Sequence, residues 1–267
     1  MNMTVGQRFL PVVLLSVILL SACAGNAVHP DSAADMTDED QTYDPFEPFN
    51  RAMFAFNEKF DQWLLKPVAK GYDYVLPGFV KQGIGNFFSN LVQPRVAVND
   101  LLQGKLAQSG RDTGRFLVNT TVGVVGLFDV AKSVGLEPRD EDWGQTFAVW
   151  GAGDGPYFVW PIIGPHNLRD TFGFGFDWLS SPVTYVQNST DQWSLWGVDT
   201  VDTRARLLPA ERVLDQAVTT DKYAFIREAY RQRRLNLIYD GNPPRPKFFD
   251  DDTDTPAKPA APSDKAQ

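Results

Sequence analysis

Apolar positions along residues 44–130 fall into short amphipathic segments separated by Gly and Pro. Asp44-Pro45-Phe46-Glu47 has the form of a helix start, with Asp as N-cap, Pro at the first helical position and Glu47 placed to close a capping box. The helix it opens carries Phe46, Phe49, Met53, Phe56, Phe60 and Leu64 at three- and four-residue spacing, widened by Phe54 and Trp63. An aromatic stripe is ordinarily core; one this wide leaves rings over to face lipid. A second helical piece over 68–75 stops at Leu76-Pro77-Gly78, and a third carries Phe79, Val80, Ile84, Phe87, Phe88 and Leu91. Pro94 is expected to open a fourth, with Val96, Val98, Leu101 and Leu102, ended by Gly104; a fifth covers about 105–119.

Residues 118–130 are apolar and Gly-spaced, too short for a membrane-spanning helix and without the alternation of a half-buried strand. Two readings stand: a buried helical hairpin, or a re-entrant hairpin in lipid, where bent backbone is tolerated only against protein or a cavity. From 135 to 190 helical periodicity is poor and Gly, Pro and aromatics dominate, among them Trp143, Phe147, Trp150, Tyr157, Trp160, Phe174 and Trp178. Residues 190–208 read as helix. The last helix starts near Thr220-Asp221, with Arg227, Arg231, Arg233 and Arg234 on its polar side, either solvated or docked on lipid phosphates.

The N-terminus changes the picture. Arg8 is followed by an apolar stretch over 9–20, about twelve residues where a membrane span needs about 20, so it reads as a cleaved export signal. Leu20-Ser21-Ala22-Cys23 resembles a bacterial lipobox, and Cys23 is the single cysteine, so an intramolecular disulfide is excluded and the thiol is the expected lipid anchor. Ala24, in place of Asp, favours sorting to the outer membrane by the same resemblance. The chain holds 25 basic and 33 acidic residues, but six of the acids lie in 24–44 with no Lys or Arg, and the body is near neutral. The expected organisation is signal peptide 1–22, lipidated acidic tether 23–43, helical domain 44–240 and disordered Pro/Ala/Asp tail 241–267.

The candidate chemistry is sparse. No basic stripe suggests nucleic acid, and Gly151-Ala152-Gly153-Asp154-Gly155 lacks the ending and the preceding strand of a phosphate loop, so no cofactor is expected. His166 is the one histidine of the body, with no Gly-x-Ser-x-Gly elbow nearby, which leaves a hydrolase as a weak alternative and a non-enzyme as the expectation.

A set of short motifs carries more. Asp44-Pro45-Phe46-Glu47-Pro48-Phe49-Asn50-Arg51 is followed by Pro67-Val68-Ala69, Tyr74-Val75-Leu76-Pro77, Leu102-Gln103-Gly104 and Arg115-Phe116-Leu117-Val118-Asn119-Thr120. Gly126-Leu127-Phe128-Asp129-Val130-Ala131, Asp142-Trp143-Gly144-Gln145-Thr146, Gly155-Pro156-Tyr157 and Leu168-Arg169-Asp170 follow in order. Over about 43–240 the chain resembles the MlaA/VacJ family of outer-membrane lipoproteins.

That resemblance implies an all-α, ring-like body of short helices with an apolar helical hairpin and Gly/Pro/aromatic-rich loops, embedded in the inner leaflet of the outer membrane. It implies a phospholipid substrate, a trimeric outer-membrane porin alongside, and a periplasmic lipid-carrier protein that receives lipid removed from the outer leaflet through a central amphipathic channel. On this reading the 118–130 hairpin, including Phe128, is the channel wall and gate, hinged at Gly123 and Gly126 and rimmed by Asn119 and Asp129. Asn50 and Arg51 hold the gate through hydrogen bonds, against the plainer reading of helix capping and pairing within a helix. The other class left open is a porin-bracing lipoprotein without a lipid conduit.

Overall fold

The computed structural model describes residues 44–217 and 221–244; the export signal, Cys23, the acidic tether and the tail from 245 onward lie outside the described residues. The fold is mostly helical. α1 (Glu47–Phe60) runs through a π-helical turn (Asp61–Leu65) into α2 (Lys66–Val75), with the Lys66 amide donating to the Asp61 carbonyl. Pro67, without an N–H and set just after this turn, accounts for the widened backbone there. Two segments expected as separate are therefore one bent helix. Leu76 is extended ahead of Pro77, and α3 (Gly78–Leu102) begins at the next residue.

α3 overturns a further expectation: Pro94 lies inside it, exposed, rather than opening a new helix. Gly104, at φ +80°, ends the turn, and α4 (Leu106–Thr121) packs back along α3. A bend over 122–128 leads to the single turn α5 (Val130–Ser133), which Asp129 caps by accepting the Lys132 amide. The expected capping box at the first helix does not form. Asp44 instead accepts the Phe46 amide at 3.2 Å, and Glu47 pairs with Arg51 at 2.7 Å.

The stretch without helical periodicity contains α6 (Trp143–Val149), the antiparallel hairpin β1 (Tyr157–Trp160) and β2 (Gly164–Asn167), and α7 (Leu168–Ser180). Asp142 and Asn167 cap α6 and α7 by accepting the amides of Gln145 and Asp170. A 3-10 turn (Pro182–Tyr185) leads to α8 (Ser189–Ala217), which packs on α2 and α3, and α9 (Lys222–Ile238) closes the body with Asp221 as its N-cap.

The distribution of polarity is inverted. Among the described residues the largest fully buried side chains are Gln93, Gln145, Asn50, Asn99, Thr146, Asp100, Asp112 and Asp202, with Val96 and Val159. Trp63, Tyr74 and Phe79 are meanwhile 79%, 91% and 77% exposed. Polar groups tolerate burial when they bond one another. Here Thr146 Oγ1 donates to Asn99 Oδ1 at 2.6 Å, and Gln103 Nε2 donates to Glu141 and Thr146. A small apolar nucleus of Tyr157, Val159 and Tyr223, with Met53, Phe54 and Tyr230 against it, joins α1, β1 and α9.

Candidate functional site

α3, the β-hairpin, α7, α8 and α9 surround a cavity of about 730 Å³. Phe88, Leu91, Val92 and Arg95 recur at helical spacing, so one face of α3 forms a wall that ends in a cation. α7 presents Asp170, Phe174, Asp177 and Trp178, and α8 adds Leu195, Trp196, Asp199 and Leu207. The lining is thus amphipathic, with rings and aliphatic groups along most of it, two clusters of paired charge, and Asp199 and Arg233 apart from them.

At the first, Arg95 Nη1 stands 3.4 Å from Asp177 Oδ1, and burial pushes the Asp177 carboxyl up to about 6 although Arg95 pulls it down. At the second, Arg234 bridges Asp142 at 2.6 Å and Asp170 at 2.8 Å, and Tyr230 donates to Asp170 at 2.6 Å. Burial acts to raise the Asp142 carboxyl, but the Arg234 guanidinium outweighs it and holds it at about 2. His166 turns Nδ1 toward the Gly164 carbonyl at 3.4 Å and packs its ring on Phe174 and Tyr230; burial lowers its basicity. Its contacts are backbone and rings rather than a nucleophile.

The residues singled out from the sequence do not line this cavity. Asn50 is fully buried on α1, donating to the Tyr157 carbonyl at 3.0 Å and accepting the Val159 amide at 2.9 Å. It thereby fixes β1, whose partner strand carries Pro165 and His166 into the cavity wall. Arg51 bonds Glu47 and Asp221 and stacks on the Tyr223 ring at 4.5 Å, tying α1 to the start of α9.

The others meet in the bend after α4. Buried Asn119 donates to Asp129 at 3.1 Å and accepts the Ala131 amide at 2.8 Å, and Arg115 donates to Asp129 at 2.7 Å. Asn119 and Asp129 therefore form an interior latch across the base of the bend. Gly126 (φ +88°) and Gly123 allow backbone to close on itself: a Cβ on Gly123 would lie 2.2 Å from the Phe128 carbonyl, and one on Gly126 would lie 2.5 Å from the Asn90 side chain. Between them Val124 and Val125 hold φ of 53° and 57°, a region costly for β-branched residues. Their side chains, with those of Val122, Leu127 and Phe128, are exposed.

The cavity's acids Asp142, Asp170 and Asp177 carry no assigned role in the sequence because each draws its meaning from a partner far along the chain. Arg234 was expected on a solvated or lipid-docking basic face, and is instead paired with Asp142 and Asp170; Arg227 likewise turns toward Asp44 and Glu47. The usable signal was the recurrence of acids within short motifs, Asp142-Trp143-Gly144 and Leu168-Arg169-Asp170, in a stretch without amphipathic order.

Comparison with known proteins bears on this architecture. The family model described as MlaA lipoprotein matches residues 42–237. An uncharacterised protein of Rickettsia typhi is 37% identical over 212 residues, covering 78% of this chain and 84% of its own. The intermembrane phospholipid transport system lipoprotein MlaA of Escherichia coli (strain K12) is 34% identical over 251 residues, covering 89% and 91%. A solved structure reported under "Structural basis for maintenance of bacterial outer membrane lipid asymmetry" is 35% identical, covers 75% of this chain and 100% of its own, and superposes with a TM-score of 0.66.

Proposed function

The chain belongs to the MlaA lipoprotein family, and from that premise we propose that it moves phospholipid out of the outer leaflet of the outer membrane through its amphipathic cavity. The observation that carries this reading is the pairing of an inverted body with a cavity of mixed lining. A headgroup crossing hydrocarbon is costly unless polar groups or water accompany it. The Arg95–Asp177 and Arg234–Asp142–Asp170 clusters supply such groups, and Phe88, Leu91, Phe174 and Trp196 supply surface for acyl chains.

In this proposal Cys23 carries the anchoring acyl chains, which set the body in the inner leaflet beside a trimeric porin, and a periplasmic carrier receives the lipid. The bend over 122–128 is the gate: its strained valines and exposed apolar side chains fit an element that shifts within lipid. Asn119 and Asp129 latch its base, and Asn50 and Arg51 hold the hairpin and helix opposite. The residues bind and guide; no bond is made or broken, and direction comes from the lipid's free-energy difference or from the carrier.

The test is transfer of labelled phospholipid from liposomes holding the acylated protein and its porin to the carrier. Delivery is expected, and it should be lost in Val92→Trp, which fills the cavity beside Arg95. Absence of transfer in a preparation that binds both partners would favour a bracing lipoprotein instead.

A further inference from the structure

A second and smaller space, about 350 Å³, lies between α2, α3 and α8 and shares no lining residue with the larger cavity. Its chemistry differs. Lys81 Nζ meets Asp73 at 2.5 Å, and Arg206 pairs with Asp202, which is fully buried and also accepts the Tyr72 hydroxyl at 2.8 Å. Two cations and two carboxylates thus face one small volume, and the pocket is neutral in sum but sharply divided in charge.

Arg206 is held for display. A Cβ on Gly85 would lie 2.6, 2.7 and 2.8 Å from its Nη1, Cζ and Nη2, so the guanidinium lies flat on the bare backbone of that glycine. Asp202 grips one edge, while 53% of the side chain remains exposed on the pocket side. A planar cation fixed from behind is suited to a phosphate, which takes two N–H donors from one fork. Lys81 stands on the same wall. Its carboxylate partner Asp73 is half exposed, and the oxygen that Lys81 does not bond can take an ammonium group from a ligand that brings one.

The surroundings suit a lipid. Asn86, in the pocket wall, donates to the Leu127 carbonyl at 3.1 Å, which places the exposed side chains of Val124, Val125 and Leu127 alongside. Tyr74, Val75 and Phe79 are exposed at the turn from α2 to α3, which carry Tyr72 and Lys81. Arg206 also acts on Asp199, in the lining of the larger cavity, opposing the rise that burial gives that carboxyl.

We propose that this pocket is a headgroup site for a zwitterionic phospholipid, with Arg206 and Lys81 taking the phosphodiester and Asp73 taking the amine. That the ligand is a lipid rests on the transfer reading above; that it is a phosphate carrying an amine rests on the pocket's charges. Headgroup selection then occurs here, beside the bend.

Calorimetric titration of the full chain with glycerophosphoethanolamine, glycerophosphoglycerol and inorganic phosphate tests it. Saturable binding is expected, tightest for glycerophosphoethanolamine. Lys81→Gln and Arg206→Gln should each weaken it by about tenfold, the scale of a charge-assisted hydrogen bond, with Lys81→Arg restoring it in an equally folded protein. Asp73→Asn should leave phosphodiester binding and remove the preference for the amine. Equal affinity for the three ligands would mark a free-anion site and overturn the proposal, as would unchanged affinity in both cation variants or no saturable binding. Lipid delivery without headgroup binding would sink this pocket alone, and headgroup binding without lipid delivery would sink the transfer reading alone.

Discussion

At the scale of single residues, the glycines of the bend show how much of a motif's physics lies in what packs against it. Gly123 and Gly126 stand out in the sequence as hinges, because glycine is the residue of free backbone. In the fold they are points of closest approach, with the Phe128 carbonyl and the Asn90 side chain in the space a Cβ would need. Gly126→Ala should cost about 1–2 kcal/mol from its left-handed backbone alone, and Gly123→Ala must push backbone aside. Gly71→Ala, inside α2 with open space around it, should stabilise by about 0.5–1 kcal/mol. Thermal unfolding of the three variants in one detergent checks this, and wild-type melting of Gly123→Ala would mean the bend is looser than described. Asn119 and Asp129 teach the same lesson. Their polarity was visible, but ten residues of sequence separation hid that they bond each other, so a latch read as a rim.

At the scale of elements, the boundaries set by local backbone chemistry were legible and orientation was not. Asp221, Gly104 and Pro77 end or begin helices through local backbone chemistry, which is the same in water and lipid. Pro94 misled because a proline in the middle of a helix is costly in water, where it is usually excluded. The reading of apolar faces assumes that they turn inward, and α3 does the opposite over part of its length. It buries Asn90, Gln93, Asn99 and Asp100 and exposes Phe79, Val98 and Leu101. α6, α7 and the β-hairpin were missed because their rings form no stripe: Phe174 and Trp178 line the cavity, Trp143, Phe147 and Phe176 pack on one another, and Gly144 and Gly173 let the two helices meet backbone to backbone.

The buried acids of α3 and α4 give a measurable consequence. Burial, then a proton shared with Asp112, pushes Asp100 up to about 7 from its ordinary 3.8, with Glu141 adding repulsion and Lys105 relieving some of it. The folded protein therefore holds this proton more tightly than the unfolded chain. The stability it supplies is complete below about pH 4 and is lost as pH rises through about 7. Asp142, held at about 2, works the other way, and its contribution fades only as pH falls from 3.8 through 2. Melting should thus be higher at pH 5 than at pH 8. Asp100→Asn keeps a donor for Asp112 without the charge, so it should raise Tm at pH 8 by about 2–4 °C, the shift of roughly 1 kcal/mol in a chain of this size. The residual slope belongs to Asp177, near 6 in the larger cavity, with Asp112, Glu141 and Asp199, which burial also raises, and is opposed by His166, which burial lowers. A pH profile unchanged by the substitution would place the shared proton elsewhere.

At the scale of the whole molecule, the inverted polarity decides how the body meets the membrane. No helix among the described residues is long and apolar enough to cross it, yet large side chains such as Trp63, Phe79, Leu106, Phe128 and Trp193 stand exposed. A body of this kind loses free energy in water wherever such groups face it, and regains about 1.5–3 kcal/mol for each one fully buried in hydrocarbon. One acyl chain binds a bilayer only marginally and several hold it firmly, so the acyl chains proposed on Cys23 would suffice for attachment, and the exposed rings give the body a membrane affinity of its own. The chain without residues 1–23 should accordingly still float with phospholipid vesicles. Trp63→Ser with Phe79→Ser should weaken flotation by about a hundredfold, on the order of 1.4 kcal/mol for each ring, while Tm in detergent stays within a degree or two because neither ring belongs to the core. Stable, monodisperse behaviour of the unacylated chain without detergent would show that these side chains meet water, and would return to Cys23 the whole task of attachment.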